Sequence, residues 1–454
     1  FFKRTNTNYT KDLIKRPTFK IDNRGKWHTD YDLALSIAKK EEKPLLLNFT
    51  GSDWCGWCIR LKDEVFDKVA FKEFSQNNLI LVELDFPKRK ELPKAIKNQN
   101  IDITIISGRD DGMEFINKLD IPHKDIKIPR DISLIKDFLA LVNLYLYFRR
   151  EDFHIVHSTT PKAGLLTSIA GFFARVPIRI HTFTGQAWAN LSGFKRWICI
   201  KMDKVIITLN TQVYADSFSQ VEFLLEQKVI KNLEDIKVLG DGSLAGVDVQ
   251  RFSEKEKLFR EKRRVEFNIP NESFVFIYLG RINLEKGVNE LIEAFNKLTK
   301  ENRNAYLILV GPIDIKEPTE KIRIESLIQD SPNIRFYEYT DNPERFLSIS
   351  DVLCCPSYRE GFGTVIIEAA AMGITSIGSD VVGLKDSIIN KETGLLFRCG
   401  DSEDLREKMQ LLMDNHELRQ SLSKNAAKNA MDRFSSSRLS NLVIDEYREK
   451  YDNK

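Results

Sequence analysis

The stretch YREGFGTVIIEAAAMG, Tyr358 to Gly373, decides the fold of most of this chain. From about Thr364 its apolar residues follow helical spacing. Gly361 and Gly363 stand immediately before that helix. Glycines there let the backbone bend close to a ligand. The free amides of the helix's first turn can hold phosphate oxygens. The preceding DVLCCPS reads as a buried strand, so the order is strand, glycine turn, helix. Glu360, just before the turn, can hydrogen-bond sugar hydroxyls. Glu368 lies four residues into the helix, on the face of Thr364, where a carboxylate can take both ribose hydroxyls. The plainer alternative is a glycine C-cap followed by an amphipathic helix with an exposed glutamate.

Working outward, strand and helix patterns alternate from Ile101 onward. IDITIIS, FHIVHS, IRIHTFT, KVIITLN and IKVLGDG read as a first series of strands. SFVFIYLG, AYLILVG, NIRFYEY, DVLCCPS, ITSIGSD and TGLLFRC read as a second. Two successive parallel α/β units predict two Rossmann-like domains facing a cleft. The break falls near GDGSLAGVDVQRF, whose glycines and aspartates suit a linker. In the second unit, YLGRINLEKG puts Arg281 and Lys286 just after the first strand, at its carboxyl end, where loops line the ligand crevice of open sheets. Two cations there suit a diphosphate, the arginine as a fork and the lysine as a point charge. Taken alone they read as ordinary loop charges. Together with Glu360 and Glu368, eight residues apart in the same unit, they read as a site.

The first hundred residues have another pattern. DYDLALSIAKKEEK has helical spacing, PLLLNFTG is a buried strand, CGWCIRLKDEVF opens a helix, NLILVELDF is a second strand and LPKAIKNQN starts a further helix. A thiolate at Cys55 would be stabilised by the helix dipole and amides. Cys58, a turn later, can resolve a mixed disulfide. Two unpaired thiols or half a zinc site are the alternatives, and no second CxxC or paired histidine supports zinc.

Composition bounds the rest. The chain has 454 residues, 42% hydrophobic and 30% charged, which is ordinary for a globular protein of two or three domains. A formal net charge of +3 does not call for nucleic acid as a partner. No apolar run of transmembrane length occurs. The basic run PKRKELPK reads as solvated surface. Of six cysteines, Cys199, Cys354, Cys355 and Cys399 have no metal-ligand spacing, and Cys354 and Cys355 read as small core residues. Most of the chain therefore reads as cytosolic.

These residues carry two resemblances. The segment of about residues 25–100, with FTGSDWCGWC, resembles the thioredoxin-like family. That implies Cys55 as attacking and Cys58 as resolving thiol. The family continues with a cis-proline strand, a hairpin partner and a last helix, and the residues after Asn100 do not look like them. From Ile101 to about Tyr451 the chain resembles family 4 of the retaining glycosyltransferases, of GT-B fold. GRINLEKG, REGFGTVIIEAAAMG, GDGSLAGVD, TGLLF and VHSTTPKAGLLTSIAGFFARVPIRIHTFTGQ carry this resemblance. It looks closest to bacterial enzymes that build capsule or other lipid-linked surface glycans.

The second resemblance implies an EC 2.4 transferase with a nucleotide-diphosphate sugar donor, often UDP-linked, and no metal or other cofactor. RDDG, at 109–112, reads as a strand-end turn rather than a DxD metal site. Glu360, Arg281 and Lys286 become the expected catalytic residues. Gly280, Gly361, Phe362, Gly363, Thr364 and Glu368 become the expected donor-binding residues. Many relatives have a histidine just before the glycine of HTFTGQ. Here that position is Thr184, so Thr184 and His181 are the acceptor-side candidates. The first strand, glycine loop and helix of the family are absent ahead of Ile101.

The expected architecture is therefore α/β. A partial thioredoxin-like segment (1–100) precedes a first Rossmann-like domain without its first strand and helix (101–245). A nucleotide-sugar-binding Rossmann-like domain (246–454) comes last. A recombined gene or a misjoined reading frame would produce such a seam. A glycan or lipid-linked acceptor is expected. Peripheral membrane contact is expected through GFKRWICIKM, where Lys195, Arg196 and Lys201 flank apolar residues, at the inner face of the membrane. A buried helix is the alternative for that segment. A thiol–disulfide oxidoreductase or an inactive fusion are the competing functions.

Overall fold

A computed structural model describes residues 27–28, 43, 45–50, 80–85, 102–108, 121–129, 133–300, 304–315 and 317–452. The chain divides into two compact units, Phe1–Glu91 and Leu92–Lys454. In the first, strands β1 (Trp27–His28), β2 (Leu45–Thr50) and β3 (Ile80–Asp85) form one parallel sheet in the order β1-β3-β2. The strands expected at PLLLNFTG and NLILVELDF are both present. Cys55, Cys58 and their helix lie outside the described residues.

The second unit holds two lobes. Its first lobe begins with β4 (Ile105–Ser107) and β5 (His123–Asp125), paired in parallel. A separate parallel sheet comes next, in chain order: β6 (Ile155–Ser158), β7 (Ile178–Phe183), β8 (Gln212–Ala215) and β9 (Lys237–Val238). These two sheets share one core. Ile106 and Ile126 on one side and Val156 on the other pack in the same apolar cluster, with Ala140, Leu144 and Phe148 of the helix Leu134–Glu151. Yet among the described residues β4 pairs only with β5, and β6 only with β7. Among the described residues, one apolar core thus spans two parallel sheets whose edges at β4 and β6 are unpaired, the arrangement that a missing central strand would leave.

KVIITLN, expected as a strand, is instead the end of the helix Gly193–Leu209. Its β-branched run mimics a buried strand, but Asp203 and Ile206 are buried three residues apart, which is helical periodicity. The strand of that unit is Gln212–Ala215, and the polar-led β5 was not expected at all. Short strands with a polar residue in every second or third place carry little periodic signal.

The second lobe is one six-stranded parallel sheet. Its strands are β10 (Phe274–Leu279), β11 (Ala305–Val310), β12 (Ile334–Tyr337), β13 (Val352–Cys355), β14 (Thr375–Ser379) and β15 (Gly394–Phe397). Their order is β12-β11-β10-β13-β14-β15. Helices cover both faces, so the strands are apolar along their length, and Val352, Leu353, Cys354 and Cys355 are all buried. Burial raises the Cys355 thiol to about 12 and Cys354 higher still, so both behave as small core residues. The strand order reverses between β10 and β13, and the crevice at their carboxyl ends is the place where doubly wound sheets bind ligands.

The chain finally returns to the first lobe. The Val247 amide donates to the Phe434 carbonyl and the Ser436 amide to the Val247 carbonyl, around the bridge at Ser435. The helix Ser436–Asp452 then sets Tyr447 2.5 Å from Nδ1 of His157 and Glu446 on the hydroxyl of Tyr214. The division expected at 245/246 is therefore crossed by the last helix.

Candidate active site

Two loops at the switch point build the site. The first leaves β10 through Gly280 and Arg281 and ends in a short 3-10 turn, Leu284–Lys286. The second leaves β13 and runs through Glu360 to Gly363, which caps the helix Thr364–Ala371 in a left-handed conformation, φ 82°. The helix begins at Thr364, as expected. The loops are docked on each other. The Tyr358 amide donates to the Glu285 carbonyl at 2.9 Å. The Tyr358 hydroxyl donates to Glu290 at 2.6 Å. Gly287, at φ 66°, passes so close to the Pro356 carbonyl that a Cβ would lie 2.0 Å from that oxygen.

This docking brings Lys286 and Glu360 together. Lys286 Nζ is 2.5 Å from Glu360 Oε1, and Ser357 Oγ donates to the same oxygen at 2.7 Å. Both partners are mostly buried, with 22% and 19% of their side-chain surfaces exposed. Arg281 lies on the open side, 56% exposed, with Nη1 2.6 Å from Asp314 Oδ2. A cation paired only at the surface can turn to an incoming anion at little cost. Phe362 is buried, Glu368 is half-buried one turn into the helix, and the Thr364 side chain is exposed at its first residue. The two loops thus bring together two cations, the amides of a helix start and a partly buried carboxylate. That set suits a diphosphate beside a hydroxyl-rich group.

The first lobe closes on this loop. Gly361 lies against the Thr184 carbonyl, which a Cβ at Gly361 would meet at 2.5 Å. Ser217 Oγ donates to the Gly361 carbonyl at 3.0 Å. Asp386 accepts from the amides of Phe218 and Ser219, and Ser219 Oγ accepts from the Gly383 amide at 2.8 Å. Thr184 is therefore at the lobe junction, its hydroxyl donating to the Thr159 carbonyl. His181 is elsewhere. It is fully buried, 2.9 Å from Ser158 Oγ, with its ring edge-on to Phe183. Burial, then the neighbouring His157, lowers its pKa to about 3, so it is a neutral core imidazole. Ser357, Asp314, Asp216, Ser217 and Asp386 were not singled out from the sequence. ADS at the end of β8 was the available signal, a polar cluster at a strand's carboxyl end.

A two-lobed α/β protein with a charged, glycine-lined crevice at the switch point of its second sheet is the general form of a nucleotide-sugar transferase. Residues 259–429 match the family described as Glycosyl transferases group 1, and residues 26–102 match the Thioredoxin-like family. The chain is 32% identical over 361 residues to the capsular polysaccharide biosynthesis glycosyltransferase CapM of Staphylococcus aureus, covering 79% of this chain and 93% of that protein. It is 26% identical to the N,N'-diacetylbacillosaminyl-diphospho-undecaprenol alpha-1,3-N-acetylgalactosaminyltransferase of Campylobacter jejuni, over 76% of this chain and 90% of that one. Anabaena HepE, solved in complex with UDP, superposes with a TM-score of 0.64 at 16% identity, over 77% of this chain and 100% of that one, which shows the fold. The chain belongs to the group 1 glycosyltransferases and carries a thioredoxin-like segment in front.

Proposed function

We propose that the chain moves a sugar, with retention of configuration, from a UDP-linked donor to a lipid-linked or surface-polysaccharide acceptor. The observation that carries this reading is the Lys286–Glu360 pair held between two docked loops at the switch point. Arg281 and Lys286, with the amides at Thr364, would take the charge of the departing diphosphate as the donor C1–O bond loosens, an electrostatic role that needs no metal. Glu360 would orient the sugar and Glu368 the ribose. The acceptor hydroxyl would enter from the first lobe, at Thr184. The undecaprenol-linked substrate in the Campylobacter relative's name supports a lipid-linked acceptor. The decisive assay offers purified protein a panel of nucleotide sugars with a lipid-diphosphate glycan. Sugar transfer from a UDP-linked donor supports the reading, and hydrolysis or transfer from none of them removes it.

Membrane contact belongs to the same reading. On the helix Gly193–Leu209, Phe194 and Trp197 are stacked and exposed by 72% and 55%, with Lys201 over the Trp197 ring. On the helix Leu134–Glu151, Leu134, Ile135, Phe138 and Leu139 are exposed as well. Aromatic rings flanked by lysines suit an anionic interface. No helix among the described residues is long and apolar enough to cross a membrane. Replacing Phe194 and Trp197 by serine should lower sedimentation with anionic vesicles at least about tenfold, from the apolar area withdrawn. Unchanged sedimentation would assign this face to another role.

The thiols stand outside the transfer. Cys55→Ser with Cys58→Ser should leave UDP affinity unchanged within error, because no step above needs a thiolate. Insulin reduction by the parent chain should be slow, since the family's cis-proline strand does not come after Asn100. Turnover at the rate of an intact thioredoxin would put the oxidoreductase reading first.

A further inference from the structure

Asp216 follows directly on β8 and faces the donor loop from the first lobe. It is only 7% exposed, and its Oδ1 has no hydrogen-bond partner. Its Oδ2 packs on Gly361, where a Cβ would lie 3.0 Å away. The backbone around it is tightly held. Its amide donates to Gln220 Oε1 at 3.1 Å, and its carbonyl accepts from the Ser243 amide at 2.7 Å. Gln220 Nε2 donates to Gln186 Oε1 at 2.9 Å.

Asp241, beside the Gly242 that packs on the Asp216 carbonyl, pairs with Arg433 and Arg438. Glu360 is held by Lys286 and Ser357, Asp386 caps Phe218 and Ser219, and His181 is neutral within the first lobe. No cation among the described residues pairs with Asp216. A carboxyl taken out of water with neither a cation nor a donor is costly to ionise.

We propose that Asp216 is a positioning residue of the donor loop and does this work as the neutral acid, seating Gly361 against the first lobe. The proposal rests on the reading of Glu360–Gly363 as the donor loop. Neutral, the carboxyl lets the lobes meet over Gly361. Ionised, it draws water into the junction, and the loop that carries Glu360 loses its seat. Burial raises its pKa to about 7. In an open junction, where water reaches it, the group returns to the ordinary carboxylate range near 4. The closed junction therefore binds more protons than the open one. Its advantage shrinks as pH rises from about 4 to about 7 and changes little above that.

The test is UDP affinity by calorimetry between about pH 4.5 and about pH 7.5, for the parent and for Asp216→Asn, which keeps the shape without the titration. UDP's own phosphate titrates equally for both proteins and cancels. The two should bind within a few-fold of each other near pH 4.5, and the parent should bind at least about tenfold more weakly than the variant near pH 7.5. Asp216→Ser, also uncharged, should behave as Asp216→Asn does, so failure of either variant to fold leaves the other to decide. Parallel pH curves overturn the proposal and leave the donor site standing. Absence of UDP binding in every protein at every pH overturns the donor site and the proposal with it.

Discussion

Glu360→Ala should lower sugar transfer at least about 100-fold, a loss of roughly 2.7 kcal/mol of transition-state stabilisation. The carboxylate is held on one oxygen by Lys286 and Ser357, so the other can be presented to the sugar. Removing it both unseats the sugar and frees Lys286 to move away from where diphosphate charge develops. The chain should still fold, because the freed Lys286 ammonium keeps a path to solvent. Arg281→Ala should cost as much in transfer by a different route. Its pair with Asp314 is exposed, so stability should hardly change. Its loss should appear mainly as weaker UDP binding, whereas Glu360→Ala should keep UDP affinity within a few-fold. Product formation and UDP calorimetry on the same samples separate the two roles. If both variants transfer sugar like the parent, the crevice is not the active site.

The second large effect concerns the open edges of the first lobe. A strand, glycine loop and helix of the group 1 type, joined directly ahead of Ile101 in place of the thioredoxin-like segment, should enter between β4 and β6. A four- or five-residue parallel strand there would make backbone bonds to both edges, each worth about 1 kcal/mol net, and would bury its side chains in the cluster of Ile106, Ile126 and Val156. The thermal transition should rise by roughly 5–10 °C. UDP affinity should rise at least about tenfold, since the loop after that strand would face the crevice from the first lobe. A protein beginning at Ile101 without this addition should be the less stable and the weaker binder. Equal stability and equal affinity would mean that the seam is not a defect.

How much of this was readable in the sequence differs between the lobes. The second lobe was legible almost strand by strand, because a parallel sheet covered on both faces is written in unbroken apolar runs such as FVFIYL and VLCC. The placing of its loops was legible too, since Gly361 and Gly363 stand at a helix start and Arg281 and Lys286 follow the first strand, and the structure brings Lys286 to Glu360. The first lobe was less so. Val205 to Thr208 satisfy both a strand and a helix pattern, and only packing against the sheet decides for the helix. His181 was a candidate because it is the histidine nearest the position where many relatives carry one, but it lies inside β7 with its ring beside Ser158 in the core, and no single-sequence pattern reports that direction. Asp216 was invisible for a further reason. Its importance comes from Gly361, far away in the chain, and a contact made by two lobes leaves no local mark on either.

The central claim is that the switch point of the second lobe binds a nucleoside diphosphate, and Lys286→Ala tests it most directly. Calorimetric titration with UDP should give one site per chain for the parent. The affinity should fall at least about tenfold in Lys286→Ala, the loss expected for one desolvated charge-assisted contact, and should stay unchanged in the Cys55→Ser, Cys58→Ser protein. UDP binding that Lys286→Ala leaves intact, or that the cysteine substitutions abolish, would contradict the account.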